Sequence, residues 1–490
     1  MSERKTIEIR NPVSGKLIGT VDAAGRPEID RVLDRAVEGA ARWREVPICK
    51  KEEIVERFAA LLSAHRDELL LLTMLESGGS LNNALLQFRA LIPLFRGYLE
   101  SAKRCFGKQI PCASDTGGSG SDANDLHLVL HEPLGTVLVI VPFNAPLMMF
   151  AFKAGAALAA GNSVVVKPPS SNPLAVIRAA ELLHEAGVPE DVLQVVTGPG
   201  AETGRMLAED PRIDAITMTG STNAGLQLAQ SAAKRLIPCM LELGGNDPYI
   251  VLDDADVMQA AREAAVVRMI SAGQVCCSPK RFLVHRSLEE AFTEQVIDYV
   301  SSIRLAYDYD PEAELDRFCG RRPPLEGPKG VLMNSLISEQ AAGKVEEQVG
   351  LSLREGAKLL FGGGRHNAFF EPTVLGSVNG SMSVARDMEI FGPVMPIIGF
   401  DSDEEAAALA NASCYGLSGG VITKDWKRGM KLARQIRSGC CVIGGSGSYR
   451  NYMQHFGGYG MSGVGREGLM DIENMLQKKT VIMKGFYHSI

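Results

Sequence analysis

The feature that most constrains this chain is a succession of short runs rich in Val, Ile and Leu, separated by segments with helical spacing. HLVLHEPLGTVLVIVPFN, NSVVVKP and DVLQVVT show little apolar–polar alternation, so they read as strands buried on both faces, the habit of a parallel sheet. Parallel neighbours need a crossover. The helix-like AETGRMLAED, between the strand end VVTGPG and the strand IDAITMTGS, supplies one. Strand–helix–strand repetition predicts a doubly wound α/β architecture. Upstream, Glu28 to Trp43 and Lys51 to Ser77 place apolar residues at three- and four-residue spacing and read as helices. The stretch ASDTGGSGSDAND, Ala113 to Asp125, is a small polar loop or hairpin tip before a strand. Tyr307 to Gly330, with its prolines, glycines and charges, reads as a surface excursion.

The 490 residues suffice for two to four domains at roughly 100–200 residues each. A net charge of -7, with both signs spread along the chain, argues against nucleic acid or an anionic membrane as a partner. The first ten residues, MSERKTIEIR, lack the apolar core of a secretory signal. Leu134 to Val141 falls far short of the ~20 apolar residues of a membrane helix. Ten cysteines without regular spacing suit reduced thiols in a cytoplasmic protein, and the scattered histidines and absent CxxC pair suggest no metal.

Six motifs carry chemistry. In GQVCCSPKR, Gly273 to Arg281, a cysteine is a nucleophile only as thiolate in an electropositive, accessible setting. Either cysteine also reads as a small buried hydrophobe, and Cys277 as packing or as a resolving thiol. In LELGGN, Glu242 lies in an apolar run, where burial raises a carboxyl pKa toward that of a general base. In PFNAP, Asn144 follows an apolar strand, where open α/β sheets bind ligands, and an amide there can donate to an oxyanion. VTGPGAETG sets Gly198, Gly200 and Gly204 one residue off the usual dinucleotide fingerprint, and MTGSTNAG adds Gly220, Ser221 and Gly225 at a second strand–helix junction. Backbone N–H groups at such helix starts hold pyrophosphate. Lys167 puts a cation at the same sheet edge. MEIFGPV and FGGYGMSGVGREG complete the set, with Glu389 reading either as a ribose ligand or as a loop carboxylate.

Together, in this order and at about this spacing, the six motifs resemble the aldehyde dehydrogenase superfamily, nearly end to end from NPVSGK to KKTVIMKG. The resemblance implies a Rossmann-like cofactor domain (1–111 and 134–243), a second α/β catalytic domain (244–463), and a small β oligomerisation extension (112–133 and 464–490). It implies Cys276 as nucleophile with Cys277 a bystander, Glu242 as general base, and Asn144 as oxyanion donor. Lys167, counted among both catalytic and cofactor residues, matches the residue that holds the adenosine ribose. Ile140, Pro142, Phe143, Ser170, Gly200, Gly204, Gly220, Ser221, Leu243 and Gly244 line the implied dinucleotide site, and Glu389 and Phe391 position the nicotinamide ribose. The implied reaction is oxidation of a small aldehyde to a carboxylic acid by NAD or NADP in a homodimer or homotetramer. Acylation of coenzyme A, or a non-catalytic protein on this scaffold, are the rivals.

The departures bear on specificity. Phe143 stands for the commoner Trp, Ser271 for Asn, Gly444 for Asn and His455 for Pro. Ser170 occupies the position where NAD-preferring members carry Glu, so the repulsion of a 2′-phosphate is absent. Phe152 replaces the arginine that semialdehyde-oxidising branches place before Lys153, while Tyr449 and Arg450 fall where the substrate pocket is built, Arg450 as a ligand for an anionic tail.

Overall fold

The computed structural model describes residues 5–111, 124–322 and 332–488. Its centre is two sheets. The first runs, edge to edge, through Gly463–Val464, Cys239–Glu242, Ala215–Thr219, Thr136–Ile140, Ser163–Lys167 and Leu193–Val195. All its pairs are parallel except Gly463–Val464 against Cys239–Glu242. The chain begins at the central strand Thr136–Ile140, steps outward twice, then returns to the other side with Ala215–Thr219. That reversal is the switch point of a doubly wound sheet, where ligands bind beyond the carboxyl ends of the strands.

These strands form because Val137, Val139, Val164 and Val166 on one face and Leu138, Val165 and Ile216 on the other all have helices to bury against. The near-continuous apolar runs follow from that double coverage. Helices Ile48–Ala64, Leu81–Ala102, Pro146–Ala160 and Leu174–Ala186 cover one face. Arg26–Trp43 packs on the other through Ile29, Leu33 and Ala36.

The second sheet has seven strands, Lys358–Phe361, Thr373–Val378, Val394–Phe400, Arg281–His285, Pro248–Val251, Gly420–Ile422 and Val442–Ile443, parallel apart from the first pair. A third, antiparallel sheet joins Leu476–Met483, Leu126–Pro133 and Lys108–Ile110. No helix among the described residues is long and apolar enough to cross a membrane.

Three expectations need correction. HLVLHEPLGTVLVIVPFN is two strands in different sheets, because Gly135, at φ +129°, turns the chain between the antiparallel Leu126–Pro133 and the parallel Thr136–Ile140. Lys51 to Ser77 is two helices, Ile48–Ala64 and Arg66–Ser77, broken at His65. The 307–330 excursion contains a helix, Pro311–Phe318, whose Leu315 buries against Leu70 and Met74. Residues 323–330 of that excursion and 113–123 of the small polar loop lie outside the described residues.

Candidate active site

Asn144, Glu242 and Cys276 reach one cavity from three elements. Asn144 follows the central strand and precedes the helix Pro146–Ala160, and its Nδ2 donates to the Gln274 carbonyl at 2.9 Å. Glu242 ends Cys239–Glu242, two strands from the central one, in register with Thr219 on one side and Gly463 on the other. Cys276 follows a stretch of left-handed backbone, Ser271, Ala272 and Gly273 at φ 51°, 52° and 79°. A Cβ at Gly273 would stand 2.2 Å from the Gly392 carbonyl oxygen, so only glycine lets the two loops approach this closely.

Buried Arg268 clasps these loops, donating to the carbonyls of Gly273, Ile390 and Val394 and to Ser278 Oγ. Burial lowers its pKa only to about 9, so it keeps its charge at neutral pH. The shared cavity, of about 270 Å³, is lined by Asn144, Glu242, Cys276, Cys277, Arg450 and Glu467 and by apolar Leu86, Met148, Met149, Val267, Ile270 and Phe456.

The electrostatics separate the carboxyls. Glu242 is 4% exposed, its Oε2 has no partner, and burial followed by the charge of Glu467 holds its pKa well above the usual value. Lys153, Arg450 and Arg466 oppose that rise. Burial also pushes Glu467 upward. There, however, the ammonium of Lys153 at 3.0 Å and the guanidinium of Arg450 at 3.2 Å outweigh it, leaving the carboxyl below its usual value. Two carboxyls pushed apart in this way suit one to proton transfer and the other to a fixed charge. The Cys276 thiol is held well above its ordinary value, first by the hydrogen bond shared with Cys277 and then by burial, while Lys280 pulls it down. Cys277 is lowered by that same hydrogen bond.

The implied cofactor residues gather along the carboxyl edge of the first sheet. Ile140 and Lys167 end adjacent strands in register. Lys167 Nζ donates to the Pro168 carbonyl at 2.9 Å and Ser170 Oγ at 3.1 Å, and Ser170 donates to the Gly198 carbonyl at 2.8 Å. Burial brings Lys167 down to about 8. Gly200 opens the helix Gly200–Ala208, and a Cβ at Gly200 or Gly204 would meet nothing within 4 Å, which leaves this backbone open to a ligand. Ser221 caps the helix Thr222–Ala233, its Oγ accepting from Ala224 N, so it offers a helix start rather than a free hydroxyl.

Beyond Pro142, Phe143 meets Phe391 edge to face at 5.9 Å. Gly220 N–H donates to the Glu242 carbonyl, and Leu243 lines the cavity. Glu389 lies against Gly244, where a Cβ would stand 2.2 Å from Oε2, and its Oε1 accepts from Gly245 N at 3.2 Å. An open glycine backbone, two helix starts, a lysine at a strand end and a carboxylate beside a glycine fit the phosphates and riboses of a dinucleotide.

Three site expectations change. Tyr449 is 71% exposed and does not line the cavity. Phe152 is buried behind it, its ring 4.1 Å from the Arg450 guanidinium. Cys277, expected as packing, lines the cavity beside Cys276. Glu467, Lys153 and Lys280 were missed. A signal for Lys153 was present: a lone lysine in PLMMFAFKAGAALAA must be buried with an anionic partner. Nothing local marked Glu467 as that partner, since it lies 314 residues away.

The aldehyde dehydrogenase family model matches residues 1–481. The chain is 32% identical over 490 residues to 3,6-anhydro-alpha-L-galactose dehydrogenase of Streptomyces coelicolor, covering 99% of this chain and 94% of that one. It is 32% identical over 479 residues to the NADP(+) succinate-semialdehyde dehydrogenase of Escherichia coli, covering 97% and 94%. Among solved structures, a betaine aldehyde dehydrogenase point mutant from Staphylococcus aureus, in complex with NAD+, superposes with a TM-score of 0.89 at 29% identity, covering 99% and 95%.

Proposed function

The chain belongs to the aldehyde dehydrogenase family, and on that premise we propose that it oxidises an uncharged, apolar aldehyde to the carboxylic acid through a thioester on Cys276. It is an NAD(P)-dependent oxidoreductase of the aldehyde group, with NAD and NADP both open to it.

Cys276, once its thiol proton has passed to solvent, attacks the aldehyde carbon through Sγ, and Asn144 Nδ2, freed from the Gln274 carbonyl, donates to the developing oxyanion. One such donor contributes about 3–4 kcal/mol in the transition state. Phe143 and Glu389 would hold the nicotinamide, which when bound would supply the hydride acceptor. Glu242 takes a proton from the water that hydrolyses the thioester, and Lys153, Arg450 and Arg466 offset the charge it carries as a base. The presence of Glu242 favours hydrolysis over transfer to coenzyme A.

One observation carries the substrate class. The Arg450 guanidinium is stacked between Phe152 at 4.1 Å and Phe456 at 4.0 Å, and it is paired with Glu467. Its charge is committed, and the rest of the cavity wall is largely apolar. An aldehyde with an anionic tail, such as succinate semialdehyde, would leave that charge poorly partnered.

Three sheets favour a division into cofactor (1–111 and 134–243), catalytic (244–463) and oligomerisation (112–133 and 464–490) units, with Lys108–Ile110 and Gly463–Val464 crossing those bounds to pair in the third and first sheets. A homo-oligomer in the cytoplasm completes the reading.

An aldehyde panel with each cofactor, followed by absorbance of the reduced nicotinamide, tests this. Apolar aldehydes should exceed succinate semialdehyde in kcat/KM by on the order of a hundredfold, because a charge buried without a partner costs about 3 kcal/mol. Preference for the anionic substrate would reject the substrate class. Cys276→Ala should bind cofactor and reduce none, and wild-type turnover in that variant would reject the reaction.

A further inference from the structure

Lys280 is a buried lysine directly beneath the nucleophile. Its ammonium donates to the Cys276 carbonyl at 2.5 Å and the Ser278 carbonyl at 3.3 Å, and it faces Glu389 Oε1 at 3.5 Å. A buried ammonium is costly unless its donors are satisfied, so these three partners fix where its charge sits. Two of them belong to the cysteine loop. The third is the carboxylate implied as the grip on the nicotinamide ribose. Lys280 therefore bridges the two halves of the reaction.

We propose that Lys280 is a positioning residue that couples Glu389 to Cys276, its charge being shared with Glu389 while that carboxylate is free and turned onto the cysteine loop once Glu389 engages ribose hydroxyls. The inference rests on the function proposed above, and within it assigns a role to a residue of the GQVCCSPKR motif to which the resemblance gives none.

The groups around the thiol set the sign. Cys276 faces Cys277, Lys280 and Asp247, and Cys277 also feels Arg450. Asp247, buried with Ser418 donating to both carboxylate oxygens, is pushed up to about 6 by burial and lowered by Lys280. With Glu389 occupied elsewhere, Lys280, the cation that acts on Cys276, loses a compensating anion. A positive charge favours thiolate, and thiolate is the reactive form.

The test is alkylation of Cys276 by iodoacetamide across pH, located by fragment mass spectrometry and run with and without NADP or NAD. In the wild type, cofactor should accelerate alkylation by about tenfold below the thiol pKa, the effect of a shift of one pH unit. Lys280→Met should still bind cofactor, measured by fluorescence titration, but lose the acceleration. Lys280→Arg should retain it. Should Lys280→Met fail to fold, Glu389→Gln answers the question without cofactor: its thiol should react at the cofactor-bound wild-type rate. An unchanged cofactor response in Lys280→Met, or a wild-type cofactor-free rate in Glu389→Gln, overturns the coupling. Alkylation of Cys276 that leaves aldehyde oxidation intact would instead overturn the proposed function.

Discussion

Lys167 shows how a single side chain carries both a cost and a use. It is 3% exposed, and burial lowers its pKa from 10.5 to about 8. The folded protein therefore resists protonating it, and the unfolded chain binds more protons between those two values. Stability must rise with pH across that window, while below pH 8 the penalty is present in full. Lys167→Met should be more stable than the wild type below pH 8, by up to about 3 kcal/mol less the lost hydrogen bonds to Pro168 and Ser170. The advantage should fade as pH approaches 10.5, whereas cofactor affinity should fall at every pH. Denaturant midpoints measured across pH check this, and a pH-independent difference would refute it. The sequence placed a cation at the sheet edge. Its interaction with Ser170, and through Ser170 with the Gly198 turn, depends on loops that only folding brings together.

At the scale of elements, the cysteine loop is held by backbone geometry more than by side chains. Ser271 adopts φ 51°, a region asparagine tolerates better than most residues, which gives a physical reason for the asparagine expected there. Asn83 Nδ2 donates to Ser271 Oγ at 2.9 Å and partly offsets the strain. Gly273→Ala would set a methyl group against the Gly392 carbonyl and displace the loop. A misplacement of about 1 Å costs on the order of a hundredfold in turnover. We expect kcat to fall by that factor while cofactor binding at the far sheet edge persists, as read from paired kinetics and fluorescence titration. Unchanged kcat would show that the loop accommodates the methyl group. The parallel strands were legible because two-sided burial writes itself into composition. The break at Gly135 was not, since one glycine inside an apolar run does not reveal that the chain changes sheet.

Across the whole molecule, the three-stranded antiparallel sheet stands apart from the two cores. Its strand Leu476–Met483 pairs with Leu126–Pro133 along its full length, and its other edge has no strand partner among the described residues, with Ile482 and Met483 exposed. An open edge with apolar side chains invites another strand. Ile482→Asp should therefore lower the mass seen by light scattering from an oligomer to a monomer, and a monomeric wild type would refute the proposed assembly.

The sequence by itself determined the doubly wound class and the six motifs, and through the family resemblance those motifs carry it implied the nucleophile, base and oxyanion donor proposed here. Each of these is written in local order: apolar runs, glycine turns, a cysteine two residues after a glutamine. Only the tertiary structure decided how charge is distributed around them. Lys153 meets Glu467 from 314 positions away, and Lys280 meets Glu389 from 109 positions away. Pairing of buried charges depends on distance in space, which periodicity and spacing do not encode.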